Sequence, residues 1–281
     1  MKKALSLLLA LTMALALTAC GGTKTDDTQT SDTTEATESE ETQNTAEAVE
    51  LIVFAAASLT ETLDEIIENY KTVAPNVTIT PSYESSGTLL EQIQSGADCD
   101  LFLSAGASQM DTLEEDGGVL EGSRLDLLEN KVALAVPEGN PKGIESFDQL
   151  AQLLADGAVF LAMGNSDVPV GQYTQKIFAY YGLDEAALAQ AGVLTYGSDV
   201  KEVTTQVSEA AVDCGVIYAT DAFSAGLTVV DSATPEMCGQ VIYPAAVIQG
   251  GNEEAAQAFL DYLQTDEAMA VFESVGFSPA F

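Results

Sequence analysis

The side chains with the clearest chemical potential in this sequence are hydroxyls that directly follow short apolar runs. Ser58 follows one such run, Ser86 lies in the polar stretch 85–88 after a second run, and Tyr218 closes a third. Hydroxyl groups donate and accept hydrogen bonds, but they need a neighbouring base before they act as nucleophiles. The pattern therefore indicates hydrogen bonding to a polar ligand unless a base lies nearby.

The sequence lacks the base that such hydroxyls would need for catalysis. It contains no histidine and no Gly-x-Ser-x-Gly segment, so Ser58, Asp199 and Tyr218 do not form a recognisable nucleophilic site. The absence of histidine also removes the commonest metal ligand. We therefore expect a binding protein and not an enzyme.

The cysteines do not indicate a fold that is held together by disulfides or by zinc. Besides Cys20 near the N-terminus, the chain has only Cys99, Cys214 and Cys238. An odd number cannot all pair within the chain, and no Cys-x-x-Cys spacing occurs, so neither a disulfide framework nor a zinc site is indicated. One internal disulfide among these three cysteines is left open.

The elements that must position the hydroxyls follow an alternating α/β pattern. Short β-branched or apolar runs predict strands at residues 51–54, 77–83, 100–104, 131–136, 158–162, 215–218 and 241–248. Amphipathic stretches predict helices at residues 59–71, 88–95, 107–115, 147–154, 172–181, 201–211, 253–263 and 267–275. Regular alternation of this kind predicts parallel sheets that are covered by helices on both faces.

In such sheets ligands collect beyond the carboxyl ends of the strands, where helices begin. Ser58 forms a capping-box pattern with Glu61, and Asp199 or Ser198 is suited to cap a later helix. Each helix N-terminus offers unpaired N–H groups and a partial positive charge of roughly half a unit. Several converging termini can hold a dianion without lysine or arginine. The plainer alternative is that these hydroxyls only cap helices.

The N-terminal residues predict export and membrane attachment. Two lysines precede an apolar run at residues 4–17, which is the layout of a secretory signal peptide and is shorter than the ~20 residues that span a membrane. Residues 17–21 (Leu-Thr-Ala-Cys-Gly) resemble the lipobox of bacterial lipoproteins. This resemblance implies a signal peptide at residues 1–19 and a lipid anchor on Cys20. An ordinary signal peptide with a chance cysteine is the alternative.

Residues 20–50 predict a disordered linker. Threonine, serine and acidic residues dominate, with nine Asp or Glu against Lys24, so the segment cannot bury enough apolar surface to fold. Like charges extend such a linker, and we expect it to hold a folded domain at the outer face of the cell membrane. The whole chain has a formal net charge of −35. Nucleic acid is therefore excluded as a partner, because phosphate binding needs clustered lysine and arginine.

Several segments resemble bacterial molybdate-binding proteins, and they occur in that family's order throughout the region after the linker. The matching segments are residues 54–60, 85–89, 97–105, 168–173, 199–201, 215–222, 243–247 and 276–277. The resemblance implies an α/β fold of the type II periplasmic-binding-protein kind, with two lobes that are each a mostly parallel sheet flanked by helices. It also implies two hinge crossings, with lobe 1 at residues 51–131 plus 239–281 and lobe 2 at residues 132–238.

The same resemblance implies a ligand and the residues that hold it. The ligand is a tetrahedral oxyanion, molybdate and also tungstate, which a monomeric protein binds without a cofactor and passes to the membrane permease subunits of an ABC transporter. The family holds the anion with serine hydroxyls, backbone amides and a tyrosine hydroxyl, which here correspond to Ser58, Ser86, Val170, Val200 and Tyr218, with the Ala57 amide as a further candidate.

The chain departs from the family pattern at three of the matched positions. Gly87 stands where a serine is frequent, whereas Val170 and Cys99 stand where alanine is usual. The first two departures leave the fine selectivity for the anion open.

Two other functions are left open beside molybdate transport. Sulfate is also a fully ionised tetrahedral dianion, and the sequence does not determine the size of a cavity. Phosphate sites usually add a carboxylate for the ligand's proton and an arginine, and no matched position offers either. A surface lipoprotein without a transport role is the other alternative.

Overall fold

A computed structural model of the protein describes residues 47–281. The predicted signal peptide, the lipidated Cys20 and most of the predicted linker lie outside the described residues. The first strand begins at Val49, so the last two residues assigned to the linker belong to the folded domain. No helix in the described part of the chain is long and apolar enough to cross a bilayer.

The described residues form eleven β-strands and eleven α-helices. The strands are β1 Val49–Ala56, β2 Val77–Glu84, β3 Leu101–Leu103, β4 Leu125–Asn130, β5 Val132–Val136, β6 Leu161–Gly164, β7 Leu194–Gly197, β8 Cys214–Tyr218, β9 Thr228–Ser232, β10 Val241–Val247 and β11 Ser278–Pro279. The helices are α1 Thr60–Val73, α2 Ser86–Gln94, α3 Ala107–Glu115, α4 Phe147–Ala155, α5 Pro169–Tyr181, α6 Glu185–Gln190, α7 Val200–Ser208, α8 Ala219–Ser224, α9 Pro235–Cys238, α10 Glu253–Leu263 and α11 Asp266–Ser274.

The strands form two separate sheets, and each sheet with its helices is a lobe. In lobe 1 the strand order is β11-β4-β10-β3-β1-β2, and in lobe 2 it is β7-β6-β8-β5-β9. The chain passes from lobe 1 to lobe 2 at Lys131, between β4 and β5, and returns between α9 and β10. This is the predicted two-lobed α/β architecture with two crossings. The lobe boundaries at single-residue detail stay a prediction.

Both sheets are mixed. Strands β1, β2 and β3 are parallel, and so are β6, β7 and β8, as the β-α alternation predicts. Strand β10 runs antiparallel to β3 and β4, and β5 runs antiparallel to β8 and β9. These two antiparallel strands are the ones that enter a lobe directly after a crossing, which a pattern of local β-α units does not reveal.

The core of lobe 1 forms around β1, which is buried at Leu51 and at residues 53–56. Helix α1 packs on this sheet through Leu63, Ile66, Ile67 and Tyr70, which are buried. Their spacing of three, four and seven residues lies on one face of a helix. The period that predicted this helix therefore also determines which of its faces covers the strand.

The three cysteines within the described residues are free thiols. Cys99, Cys214 and Cys238 are all buried and unbonded, so the internal disulfide that the sequence left open is not formed among them. Burial raises the pKa of the Cys99 and Cys214 thiols to about 12. Both side chains therefore stay protonated and pack as small apolar groups.

Asp100, which directly precedes β3, connects three segments of lobe 1. One carboxylate oxygen accepts a hydrogen bond from the Ile52 amide and the other accepts one from the Asn252 amide, each at 2.7 Å. The Asp100 backbone also bonds to Ile52 and to Ile248. Because Asp100 is buried, these charge-assisted bonds are not exchanged for bonds to water.

We therefore expect Asp100→Ala to lower the free energy of unfolding by about 2–3 kcal/mol, since it leaves two amides without their acceptor. Chemical denaturation measures this loss. Asp98→Ala removes an exposed carboxylate two residues away and is the matched control, for which we expect no measurable change. Equal stability of the two variants would contradict the structural role of Asp100.

Candidate functional site

The residues that the sequence singled out meet at a small cavity between the two lobes. Its volume is about 10 Å³, close to the space that one water molecule needs. Lobe 1 contributes Ala56, Ala57, Ser58, Glu84, Ser85, Ser86 and Ala105, and lobe 2 contributes Val168, Pro169, Val170, Val200 and Tyr218. All five predicted contact residues and Ala57 are therefore neighbours in space, while their role in binding stays a prediction.

A larger depression of about 650 Å³ lies on lobe 1, around Cys99 and Asp100. It contains none of the predicted contact residues, and it lies at the surface of a single lobe. The small cavity is the better candidate because polar groups from both lobes surround it.

Three α-helices begin at the wall of the small cavity. They are α2 at Ser86, α5 at Pro169 and α7 at Val200. In each helix the first backbone N–H that bonds within the helix belongs to the residue three positions after the start. The amides of Ser86, Val170 and Val200 come before that point, so they have no carbonyl partner inside their helices. The cavity is therefore surrounded by donors and by the positive ends of three helix dipoles.

The two serine hydroxyls are held by different partners. The Ser86 hydroxyl oxygen accepts a hydrogen bond from the Ala105 amide at 2.9 Å, which leaves its own proton available for the cavity. The Ser58 hydroxyl lies 3.0 Å from the hydroxyl of Tyr243. Both serines are buried, so each hydroxyl is oriented by protein groups and not by bulk water.

Ser58 is not a helix cap, and the predicted capping box with Glu61 is wrong. Residues Ala57–Leu59 form a short 3-10 helix, and α1 begins at Thr60 without a side-chain cap. The hydroxyl of Ser58 is therefore free to turn away from the helix and toward Tyr243. The predicted cap at Asp199 is confirmed, because its carboxylate accepts from the Glu202 amide at 2.9 Å.

Tyr218 contributes a phenol to the cavity from the end of β8. Its side chain is 1 % exposed, and its hydroxyl donates across the cleft to the Ala105 carbonyl at 3.4 Å. This bond is long, so an acceptor inside the cavity competes with it easily. Burial holds the pKa of the Tyr218 phenol well above its ordinary value, with the neighbouring Tyr243 and Tyr173 adding to the shift. The hydroxyl is therefore a donor at any physiological pH.

Within residues 47–281, no lysine or arginine lines the cavity, and Glu84 is the only charged residue of its wall. Glu84 is exposed at the end of β2, so its carboxylate can remain in water. The sequence did not indicate that this residue borders the site. Its negative charge opposes anion binding, which makes the donor groups of the wall the main source of attraction for an anion.

Lys201, which follows the cavity residue Val200 in the chain, is engaged by carboxylates. Its ammonium group lies 2.7 Å from Glu61 of lobe 1 and 3.3 Å from Asp221 of lobe 2. Asp221 is buried, and desolvation raises its pKa to about 6, although Lys201 opposes the shift. The Lys201 bridge therefore joins the two lobes and balances a buried carboxylate, instead of supplying charge to the cavity.

The two lobes also touch through backbone at the edge of the cavity. A Cβ atom on Gly87 of α2 would lie 2.2 Å from the Asp167 carbonyl oxygen of lobe 2. Gln172 bonds to Ser108 and Gln109 across the same cleft, at 3.1 and 3.3 Å. The structure is therefore a closed form, and the glycine at position 87 is what permits this approach.

The sequence did not indicate that Tyr243 and Asn130 belong to the site. The Tyr243 hydroxyl lies 3.0 Å from that of Ser58, and Asn130 donates a hydrogen bond to Tyr243. Tyr243 lies in the apolar strand β10, where an aromatic residue looks like any other core side chain. Asn130 ends β4, a strand that the sequence did not predict. No spacing rule links either residue to Ser58, because they are 185 and 113 positions from their hydrogen-bond partners.

Several known proteins are similar to this chain over most of its length. The protein YvgL of Bacillus subtilis (strain 168), provisionally named an ABC transporter substrate-binding lipoprotein, is 34% identical over 82% of this chain and 86% of its own length. The molybdate-binding protein ModA of Escherichia coli (strain K12) is 31% identical over 82% of this chain and 89% of its own length. A solved substrate-binding domain from Clostridium difficile, provisionally of a molybdenum ABC transporter, is 32% identical with a TM-score of 0.62, covering 83% of this chain and 100% of that chain.

The match at the level of the family covers nearly all of the described domain. The sequence profile of bacterial extracellular solute-binding proteins matches residues 51–278. The two-lobed fold, the cavity between the lobes and these relatives agree with that match. The chain belongs to the family of bacterial extracellular solute-binding proteins.

Proposed function

We propose that this protein captures molybdate, and also tungstate, between its lobes and delivers the anion to the permease subunits of an ABC importer. The observation that carries the proposal is the convergence of three helix N-termini and three buried hydroxyls on one small cavity without a cationic side chain. The relative ModA, which is named for molybdate binding, supports the choice of anion.

The physical argument rests on the needs of a dehydrated dianion. Molybdate at neutral pH carries two charges and only acceptor oxygens, so every oxygen that leaves water needs a donor. Each helix N-terminus contributes a partial charge of roughly +0.5, and hydrogen bonds to a charged group are about twice as strong as neutral ones. Three helix N-termini, with the hydroxyls of Ser58, Ser86 and Tyr218, meet this need.

The size of the cavity favours a compact ligand. Sites for larger organic ligands occupy roughly 300–1,000 Å³, whereas this closed cavity measures about 10 Å³. A small tetrahedral anion requires a slight separation of the lobes, but a sugar or a peptide requires that the lobe contacts be broken altogether. Small size and a wall whose buried polar groups are mainly donors together favour an inorganic oxyanion.

Closure of the lobes is the step that encloses the anion in this proposal. Lobe 1 provides Ser58 and Ser86, while lobe 2 provides Val170, Val200 and Tyr218, so the anion bridges two bodies that move about the crossings. The permease subunits then recognise the closed form. A lipid anchor on Cys20 keeps the protein at the outer face of the membrane, beside the importer.

Calorimetric titration with molybdate, tungstate, sulfate and phosphate tests the ligand. We expect tight binding of the first two, and a loss of roughly ten- to hundredfold in molybdate affinity for both Ser58→Ala and Tyr218→Phe, because each removes one charge-assisted bond. Ser95→Ala, at an exposed serine of lobe 1, is the matched control and should bind like the wild type. Normal molybdate binding by Ser58→Ala would refute the site, and a preference for sulfate would change the ligand.

Gly87→Ala tests closure. The added methyl group meets the Asp167 carbonyl only when the lobes are closed, so opening relieves the clash and the fold itself is not strained. We expect at least a tenfold weaker affinity for molybdate, with unchanged stability of the ligand-free protein. Small-angle scattering should show that molybdate compacts the wild type and not the variant. Compaction of Gly87→Ala with wild-type affinity would be inconsistent with this closed form.

Cys20→Ala tests the anchor. Lipidation requires the thiol of this cysteine, so we expect the variant to incorporate no labelled fatty acid and to leave the membrane fraction of expressing bacteria. The wild-type chain should carry the label and stay with the membrane. The Cys99→Ala variant controls for loss of a thiol elsewhere. Membrane association of Cys20→Ala equal to that of the wild type would rule out this anchor.

A further inference from the structure

A chain of buried polar side chains connects the first lobe crossing to Ser58. Asn130 is the last residue before Lys131, the crossing residue, and it is 4 % exposed. Its amide nitrogen donates to the Thr220 hydroxyl at 2.9 Å and to the Tyr243 hydroxyl at 3.2 Å. The Tyr243 hydroxyl in turn lies 3.0 Å from Ser58. The chain therefore begins beside the hinge and ends at the cavity wall.

The orientation of the Asn130 amide is determined by the backbone. Its carbonyl oxygen lies 2.8 Å from the Lys131 amide, which can only donate a hydrogen bond. The oxygen must therefore lie on that side, and the NH2 group must face Thr220 and Tyr243. Both protons of the NH2 group are used by these two hydroxyls, so Asn130 has no lone pair left on the Tyr243 side.

This orientation sets the direction of the next bond. The Tyr243 oxygen accepts from Asn130 and keeps its single proton for a second partner, and the Ser58 oxygen lies within hydrogen-bond distance of it at 3.0 Å. Burial holds the pKa of the Tyr243 phenol well above its ordinary value, which keeps that proton on the phenol oxygen. When the Tyr243 proton lies on this bond, Ser58 accepts from Tyr243 and its own proton points into the cavity. A fixed donor of this kind costs no reorientation when an anion arrives.

We propose that Asn130 and Tyr243 are positioning residues that orient the Ser58 hydroxyl as a donor into the cavity, and that they thereby strengthen the preference of this site for fully deprotonated tetrahedral oxyanions over protonated ones. This inference rests on the proposed function and extends it to a determinant of specificity. A fully deprotonated dianion accepts the Ser58 proton. A hydrogen phosphate that presents its O–H group at this point leaves the Ser58 proton without an acceptor, which is costly in a buried site.

A double-mutant cycle tests whether Tyr243 acts through Ser58. Molybdate affinity is measured by calorimetry for the wild type, Ser58→Ala, Tyr243→Phe and the double variant. We expect Tyr243→Phe to weaken binding about tenfold in the wild type and less than about twofold in the Ser58→Ala background, since the hydroxyl that it orients is then absent. Tyr70→Phe, at a buried tyrosine of lobe 1 outside the cavity, is the control and should not change affinity. The same loss in both backgrounds would overturn the proposal.

Asn130→Asp tests the polarity itself. A carboxylate accepts from Lys131, Thr220 and Tyr243, so the Tyr243 proton turns toward the introduced carboxylate and Ser58 must donate to Tyr243, presenting a lone pair to the cavity. Sulfate and hydrogen phosphate, compared at about pH 8 by displacement of molybdate, carry equal charge and differ by one proton. The added charge therefore weakens both equally, whereas reversed polarity lowers the sulfate-to-phosphate affinity ratio at least tenfold.

The outcomes separate this inference from the proposed function. An unchanged sulfate-to-phosphate ratio in Asn130→Asp, with molybdate still bound by the wild type, overturns the polarity mechanism and leaves the proposed function standing. Failure of the wild type to bind molybdate, tungstate or sulfate overturns the proposed function and this inference together. A tenfold fall in the ratio, with a non-additive cycle at Ser58 and Tyr243, supports the inference.

Discussion

The rest of the site depends on the unpaired backbone amides at the starts of α2, α5 and α7. These groups belong to three helices from two lobes, yet all three helices begin at the wall of one cavity. A backbone amide cannot lose its proton and carries no counter-charge that a neighbouring carboxylate could neutralise. The local field of these amides and helix dipoles therefore favours an anion in the cavity, although the whole chain has a formal net charge of −35.

The charged residues near the cleft have a different task from binding. Lys201 is shared between Glu61 and Asp221, so its charge joins the lobes and compensates a buried carboxylate. Gly87 and Asp167 permit the backbones of the two lobes to meet closely. Neither Lys201 nor Glu61 lines the cavity, so the ion pair that joins the lobes and the proposed anion contacts belong to different residues.

Much of the fold followed from local pattern. The helices α3 and α10 have the predicted bounds, and most strands of the β-α units lie within a few residues of their predicted positions. Strands β4, β7, β9 and β11 and the short helices α6, α8 and α9 were not predicted. These elements are brief or contain polar residues on one face, and their partners come from distant parts of the chain. The antiparallel strands β5 and β10 likewise reflect the crossings between lobes and not any local period.

The sequence by itself determined that hydroxyl side chains stand where apolar runs end and, through resemblance, the five residues that meet at the cavity. Hydroxyl type, helix periodicity and motif order are local properties, so they can be read along the chain. Only the tertiary structure decided that Ser58 is not a cap and that Glu84 borders the cavity. It alone also shows the hydrogen-bonded chain from Asn130 through Tyr243 to Ser58. The physical reason is that hydrogen-bond direction depends on which groups meet in space, and the two lobe crossings bring these distant residues together.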